Sequence, residues 1–193
     1  MIFSLFCLIA YVAGSLNFSI IVLKLKTKTD PRTLFSKNAG ATNIYRILGE
    51  KWAALVLVCD VGKAWIVPAV ASLFLPISSL LWIFFFLLLG NRFPCFHGFK
   101  GGKGVAHAIG FSLFLTPFYT GISLVGWCAG YLIFRHAFAG SIVLAAVLGL
   151  GLIRMPGAGI SGRLAVVLCL MFIVLNHRQN FAALEYRKHR TDA

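Results

Sequence analysis

Acidic side chains are scarce in this chain. Its 193 residues include five Asp and Glu against 18 Lys and Arg, giving a formal charge of +13. An excess of that size suits anionic lipid surfaces and anionic substrates. Nucleic acid is the other usual partner of a basic chain, but here the basic residues lie between apolar runs, which points away from it. Paired cysteines are also missing. The five are Cys7, Cys59, Cys95, Cys128 and Cys169, an odd and scattered set without a CxxC, so neither disulfides nor a metal site is expected. The N-terminus has no basic stretch before its first apolar run, so Ile2–Leu23 reads as a retained helix, not a signal peptide. Polar surface is short as well. Hydrophobic residues make up 60% of the chain and mean hydropathy is +0.90. A water-soluble domain of this length needs far more polar surface. The expectation is a single polytopic membrane domain over residues 1–193, all-α.

What the chain does have is Phe99-Lys100-Gly101-Gly102-Lys103-Gly104-Val105-Ala106. Three glycines in four residues permit φ > 0 and close approach of a ligand to the backbone. Successive free N–H groups make an anion-binding concavity, and a helix starting near Gly104 adds its positive end. Two lysines complete a phosphate site. A loop that only anchors two helices needs the lysines but not the glycines. A nucleotide P-loop is excluded. Counting back from Gly102-Lys103, its first glycine position holds His97, and Gly104 stands where Ser or Thr is required.

Spans are expected over Ile2–Leu23, Trp52–Leu75 (ended by Pro76), Ile77–Leu89, 105–118, 120–134, Ala137–Ile153 and Leu164–Leu175. The 30 apolar residues from Val105 to Phe134 are too many for one crossing, and Thr116-Pro117 and Gly121 mark the turn. Seven spans fit the charge pattern, with five as the alternative. Lys and Arg concentrate in 24–51, 91–104 and 176–193, so these segments are cytoplasmic, the N-terminus is outside and the C-terminus inside. Gly14-Ser15-Leu16-Asn17 provides small residues for close helix packing. Asp60 and Lys63, three apart within a span, read as an internal ion pair. The segment Ser36-Lys37-Asn38-Ala39-Gly40-Ala41-Thr42-Asn43-Ile44-Tyr45-Arg46 adds hydroxyls, amides, a glycine and a guanidinium, all able to bind phosphate oxygens. A turn that caps a helix is the plainer account of it. All the polar segments thus share one face, as an enzyme acting on lipid precursors requires.

These residues resemble the PlsY-type glycerol-3-phosphate acyltransferases. Ser36–Asn43 is similar to that family's first motif, and Phe93-Pro94 with Phe99–Ala106 to its second. Asp60-Val61-Gly62-Lys63 resembles its acidic/basic element, and Gly14-Ser15 its first helix. Three places depart from the pattern. Asn91 stands where the family has His, and His107 where it tends to have Thr. In the third motif Asn180 and Leu184 match, while Ala183, Arg187 and His189 replace Arg, Gly and Glu.

The resemblance implies a bacterial inner-membrane enzyme with a cytoplasmic active site. It implies acyl transfer from acyl-phosphate to the 1-hydroxyl of glycerol 3-phosphate, giving lysophosphatidic acid and phosphate without metal or nucleotide. It assigns catalysis to Ser36, Arg46 and Lys103. Substrate binding falls to Asn38, Gly40, Thr42, Asn43, Asn91, Lys100, Gly101, Gly102, Gly104 and Asn180. Two other readings stand beside it: a non-catalytic or specificity-altered homologue that binds a phospholipid precursor, and an organic-phosphate transporter. The changed third motif favours the homologue. A transporter needs more polar residues at mid-membrane depth than Asp60 and Lys63.

Overall fold

The computed structural model describes residues 1–191, with side chains through Leu184. Its regular elements are helical throughout: α1 (Ile2–Ser15), α2 (Phe18–Thr27), α3 (Ala41–Leu48), α4 (Glu50–Ala71), α5 (Ile77–Arg92), a single 3-10 turn (Cys95–His97), α6 (Val105–Leu115), α7 (Pro117–Phe134), α8 (Ala137–Ile153), α9 (Gly159–Asn176) and α10 (Arg178–Thr191). Five stretches are long and apolar enough to cross a membrane: Ile2–Thr27, Glu50–Ala71, Ile77–His97, Pro117–Phe134 and Gly159–Asn176. Val105–Leu115 and Ala137–Ile153 are shorter apolar helices. The 11 residues of α6 rise about 16 Å, roughly half a hydrocarbon core.

α5 is the centre of the bundle. Leu80, Leu81, Ile83, Phe84, Leu87 and Leu88 form a wide buried stripe along it, and Trp82, Phe85, Phe86 and Leu89 on the other side are half-buried, so no face of the helix is free. It packs on α1, α6 and α9. Phe84 stacks on Phe111 of α6, with ring centroids 4.6 Å apart. The α1–α5 contact is backbone on backbone. A Cβ on Gly14 would run into the Leu87 carbonyl, and one on Gly90 into the Tyr11 carbonyl. The packing expected of Gly14 is what the structure contains.

The first span is broken. α1 ends at Ser15 and α2 begins at Phe18, with the Asn17 side chain accepting from the Ile20 N–H at 3.1 Å as its N-cap. The break frees the Leu16 carbonyl, and the Lys63 ammonium donates to it. Asp60 pairs with Lys63 at 2.8 Å. The second span runs Glu50–Ala71, not Trp52–Leu75. Pro68 is tolerated inside it, and Pro76 caps the start of α5 and does not end α4. The α6–α7 division falls at Thr116–Pro117, where proline at the first helical position costs no hydrogen bond. The long basic segment is not simply a loop: α2 continues to Thr27, and α3 occupies 41–48.

Gly90→Ala should therefore weaken the α1–α5 seam by about 1–3 kcal/mol through overpacking. Thermal unfolding in detergent should read this as a midpoint several degrees lower. Gly62 has open space around its Cβ position, so Gly62→Ala should leave the midpoint unchanged or raise it.

Candidate functional site

The glycine loop sits on the last turn of α5. Gly101 N–H donates to the Arg92 carbonyl and Gly102 N–H to the Asn91 carbonyl, each at 3.0 Å. Side chains are excluded here by protein rather than by a ligand. A Cβ on Gly101 would strike the Asn91 carbonyl, one on Gly102 would lie 2.6 Å from the Ala39 carbonyl, and one on Gly104 2.7 Å from Leu88 Cδ2. Of the three, only Gly104 takes positive φ, at 94°. Gly104 is also the N-cap of α6, without a side-chain cap, so the first N–H groups of α6 stay free for an anion.

The 30s loop meets this platform from the side. Arg32 grips Asp30 through Nε and Nη2, at 2.8 and 2.6 Å. Its Nη1 reaches across to the carbonyls of His97 and of Lys100, the latter at 2.7 Å. That clamp, hydrogen-bonded first of all, holds the Asp30 carboxyl below its ordinary range. Asn43 is buried and its amide is fully engaged: Oδ1 accepts from the Ser36 N–H at 3.2 Å, and Nδ2 donates to the carbonyls of Pro31 and Leu34. It shapes the Ser36 loop, and both of its N–H donors are spent on the protein's own carbonyls. Gly40, in extended conformation, caps α3. Thr42 and Arg46 stand exposed on α3, and Asn38 is half-buried beside Gly40.

Lys103 is the half-buried cation of the site. Its ammonium donates to Asn180 Oδ1, which joins α10 to the glycine loop. Burial lowers its pKa to about 8, helped by the charges of Arg92 and Arg46. Asn91 is buried with its Nδ2 unpartnered, close to Gly102 and Gly104. Lys100 contributes its carbonyl to the Arg32 clamp, and its side chain is exposed. Among the described residues, no three His, Cys, Asp or Glu side chains group as metal ligands. Arg187 and His189 of the third motif, and Glu185 near them, lie outside the described side chains.

The loops and α10 thus bring Gly40, Gly101, Gly102, Gly104, Asn91, Lys103 and Asn180 together, with Arg46 near enough to act on Lys103 through its charge. Three residues beyond the sequence expectation matter. Arg32 registers merely as one more basic residue in a basic loop. His177 is buried three residues before Asn180, and its Nδ1 donates to the Ile173 carbonyl at 2.8 Å. Its pKa is lowered by burial and by the charge of Lys103. The spacing His177-x-x-Asn180 carries that signal in the sequence. Asn17 is the third.

The family model for "Glycerol-3-phosphate acyltransferase" matches residues 4–185. The chain belongs to the glycerol-3-phosphate acyltransferase family. It is 34% identical over 184 residues to the glycerol-3-phosphate acyltransferase of Methylobacillus flagellatus, covering 94% of this chain and 92% of that one. Against the enzyme of Cupriavidus pinatubonensis it is 35% identical over 185 residues, covering 93% and 91%. A crystal structure of PlsY, an integral membrane glycerol 3-phosphate acyltransferase in its glycerol 3-phosphate form, superposes with a TM-score of 0.88. It is 31% identical, over 95% of this chain and 92% of that one. The lysophosphatidic acid form gives 0.84 at 30% identity. Family membership accounts for the membrane fold and for the two motifs that form the glycine platform.

Lys103 should make anion binding pH-dependent. Its cationic form is lost as pH rises through about 8, so affinity for glycerol 3-phosphate should fall between roughly pH 7 and 9. Calorimetry across that range should find the fall in the wild type and not in Lys103→Arg, whose guanidinium stays charged.

Proposed function

We propose that this chain transfers an acyl group from acyl-phosphate to the 1-hydroxyl of glycerol 3-phosphate, releasing lysophosphatidic acid and inorganic phosphate. One observation carries the reading. Lys103, half-buried, is fixed between two glycines at a helix N-terminus, with Arg46 and Arg92 acting on it and its ammonium bonded only to the neutral Asn180 among the described residues. Uncompensated positive charge of that kind suits a phosphate ligand.

In the reaction, the 1-hydroxyl oxygen attacks the acyl carbon and the bond from that carbon to the phosphate oxygen breaks. The leaving phosphate takes the hydroxyl proton. Lys103 and Arg46 hold phosphate and stabilise the charge that moves onto it, while Ser36 adds a hydroxyl donor. The free N–H groups at Gly104–Ala106 face the same charge. Asn38, Thr42 and Asn180 orient the acceptor, Asn91 Nδ2 supplies a buried donor, and Gly40, Gly101, Gly102 and Gly104 hold the walls close. Lys100 adds positive charge at the entrance. Asn43 acts by shaping the Ser36 loop. Substrate phosphate serves as the base, a route that suits a site whose neighbouring imidazole, His177, is buried and tied to a backbone carbonyl.

The topology that goes with this reading has seven spans, the five long ones plus α6 and α8. The N-terminus lies outside and the C-terminus inside, with the site facing the cytoplasm of a bacterial inner membrane. The charge distribution supports it. The acyl chain then stays in the bilayer while the head group enters the basic cleft.

The test is direct. Purified protein is incubated with acyl-phosphate and glycerol 3-phosphate, and released phosphate and lysophosphatidic acid are measured. Product from acyl-phosphate supports the reading. Absence of product, or product only from an acyl thioester, overturns it. Cysteines introduced at position 38 and at the exposed position 100 should be labelled from the cytoplasmic side alone.

Conservative swaps then separate a shaped site from charge anchoring. Lys is a compact point charge and Arg a rigid fork. Lys103→Arg and Arg46→Lys should each lower kcat/KM by at least about tenfold, as loss of one charge-assisted hydrogen bond of roughly 1.5–3 kcal/mol predicts. Lys28→Arg, on the basic loop, should change little. Equal and negligible effects at all three positions would show that Lys103 and Arg46 supply anchoring charge and do not clamp phosphate in a fixed geometry.

A further inference from the structure

Taking the two motif loops as parts of one acyl-transfer site, we infer that Asn17, which lies outside both, is a positioning residue that sets the distance between them. Asn17 is fully buried at the break between α1 and α2. Its amide can be oriented in one way only. Oδ1 accepts from the Ile20 N–H at 3.1 Å, a bond that an NH2 group cannot make. Nδ2 is therefore turned toward the Ala39 carbonyl, 3.4 Å away, and has no other partner among the described residues. That carbonyl is the same atom that stands 2.6 Å from where a Gly102 Cβ would be. The Asn17 amide and the Gly102 backbone thus meet one carbonyl oxygen.

The consequence for the site follows from the chain order. Ser36, Asn38 and Gly40 lie within three residues of Ala39, and Lys103 follows Gly102. The spacing between the donors of the first loop and the ammonium of the second is fixed where the two loops touch. Glycine permits that closeness, and Asn17 holds the carbonyl in register. The break that aims Asn17 is itself secured by the intramembrane pair Asp60–Lys63, through the Lys63 bond to the Leu16 carbonyl. A pair of that kind is costly within a membrane and commonly has a task. Here it fills the carbonyl freed one residue before Asn17.

The inference separates two halves of one amide. Asn17→Ser keeps an N-cap acceptor for α2 but is too short to reach Ala39. It should leave the unfolding midpoint unchanged, quicken amide hydrogen exchange in residues 36–40, and weaken glycerol 3-phosphate binding. The expected loss is about three- to tenfold in Kd, the range for one neutral hydrogen bond. It should appear in KM more than in kcat, because loop spacing acts on substrate and transition state alike. Asn17→Ala removes both bonds and should lower the midpoint as well. If Asn17→Ser does not fold, Asn17→Thr retains the hydroxyl acceptor with more bulk, likewise stops short of Ala39, and replaces Asn17→Ser in every measurement. Wild-type Kd and exchange in Asn17→Ser overturn the inference, as does a lower midpoint with Kd unchanged. A wild type that binds glycerol 3-phosphate but makes no lysophosphatidic acid overturns the proposed reaction and leaves Asn17 to be judged by Kd. If the wild type binds none, hydrogen exchange in 36–40 decides.

Discussion

The glycine loop rests on backbone, and the site depends on that contact. Gly101 and Gly102 each give their N–H to a carbonyl in the last turn of α5, and no Cβ separates them from the Asn91 and Ala39 carbonyls. Two main-chain segments can come this close only where side chains are absent. The Lys103 stem therefore leaves a platform with little freedom to shift. α5 is itself held by its buried stripe, by half-buried side chains on the opposite side and by the Gly14–Gly90 seam. Rigidity runs from the middle of the bundle to the base of Lys103, as the proposed electrostatic clamp needs if it is to act without reorganising.

Charge in the protein is arranged around what is left uncompensated. Asp30 is taken up by Arg32 and Asp60 by Lys63. Neither carboxylate is available to Lys103, whose ammonium turns to the neutral Asn180. Burial together with Arg92 and Arg46 then lowers its pKa to about 8. That is the expected response of a cation surrounded by cations. On the proposed reading, an incoming phosphate dianion reverses it by supplying the missing negative charge. The same arrangement explains why acids are few: each described carboxylate inside the fold has a structural partner, and a further one near the loop would compete with substrate.

Much of this is legible in the residues. The helical membrane class follows from hydropathy, the division at Thr116–Pro117 from proline, the Gly14 packing from small residues, and the α6 start from the glycines. What stays hidden is the direction in which short polar side chains spend their hydrogen bonds. Asn43 sits in a phosphate-like motif yet binds Pro31, Leu34 and Ser36. Arg32 looks like a topological charge yet spans to the 97–100 segment. Nothing local distinguishes an Asn that waits for a ligand from one that braces a loop, because both need a buried amide. Likewise, Pro68 reads as a helix breaker and is carried within α4, whereas Pro76 opens a helix instead of closing one. Proline's missing N–H disfavours a helix interior, and in a membrane span neighbouring groups can satisfy what it frees.

The phosphate clamp proposed above has two unequal halves. Lys103 is held by glycines on both sides and by Asn180. Arg46 is exposed at the end of α3, with no hydrogen-bond partner among the described residues. Fixing a long side chain on binding costs about 0.5–1.5 kcal/mol. Lys103 has largely met that cost in the folded protein, whereas Arg46 has not. On the proposed reading Lys103 sets where phosphate sits, while the entropy of recognition falls on α3. The loop that carries α3 into place is braced by Asn43, Arg32 and the Ala39 contact. Its job is to bring a mobile guanidinium within reach of a stationary ammonium.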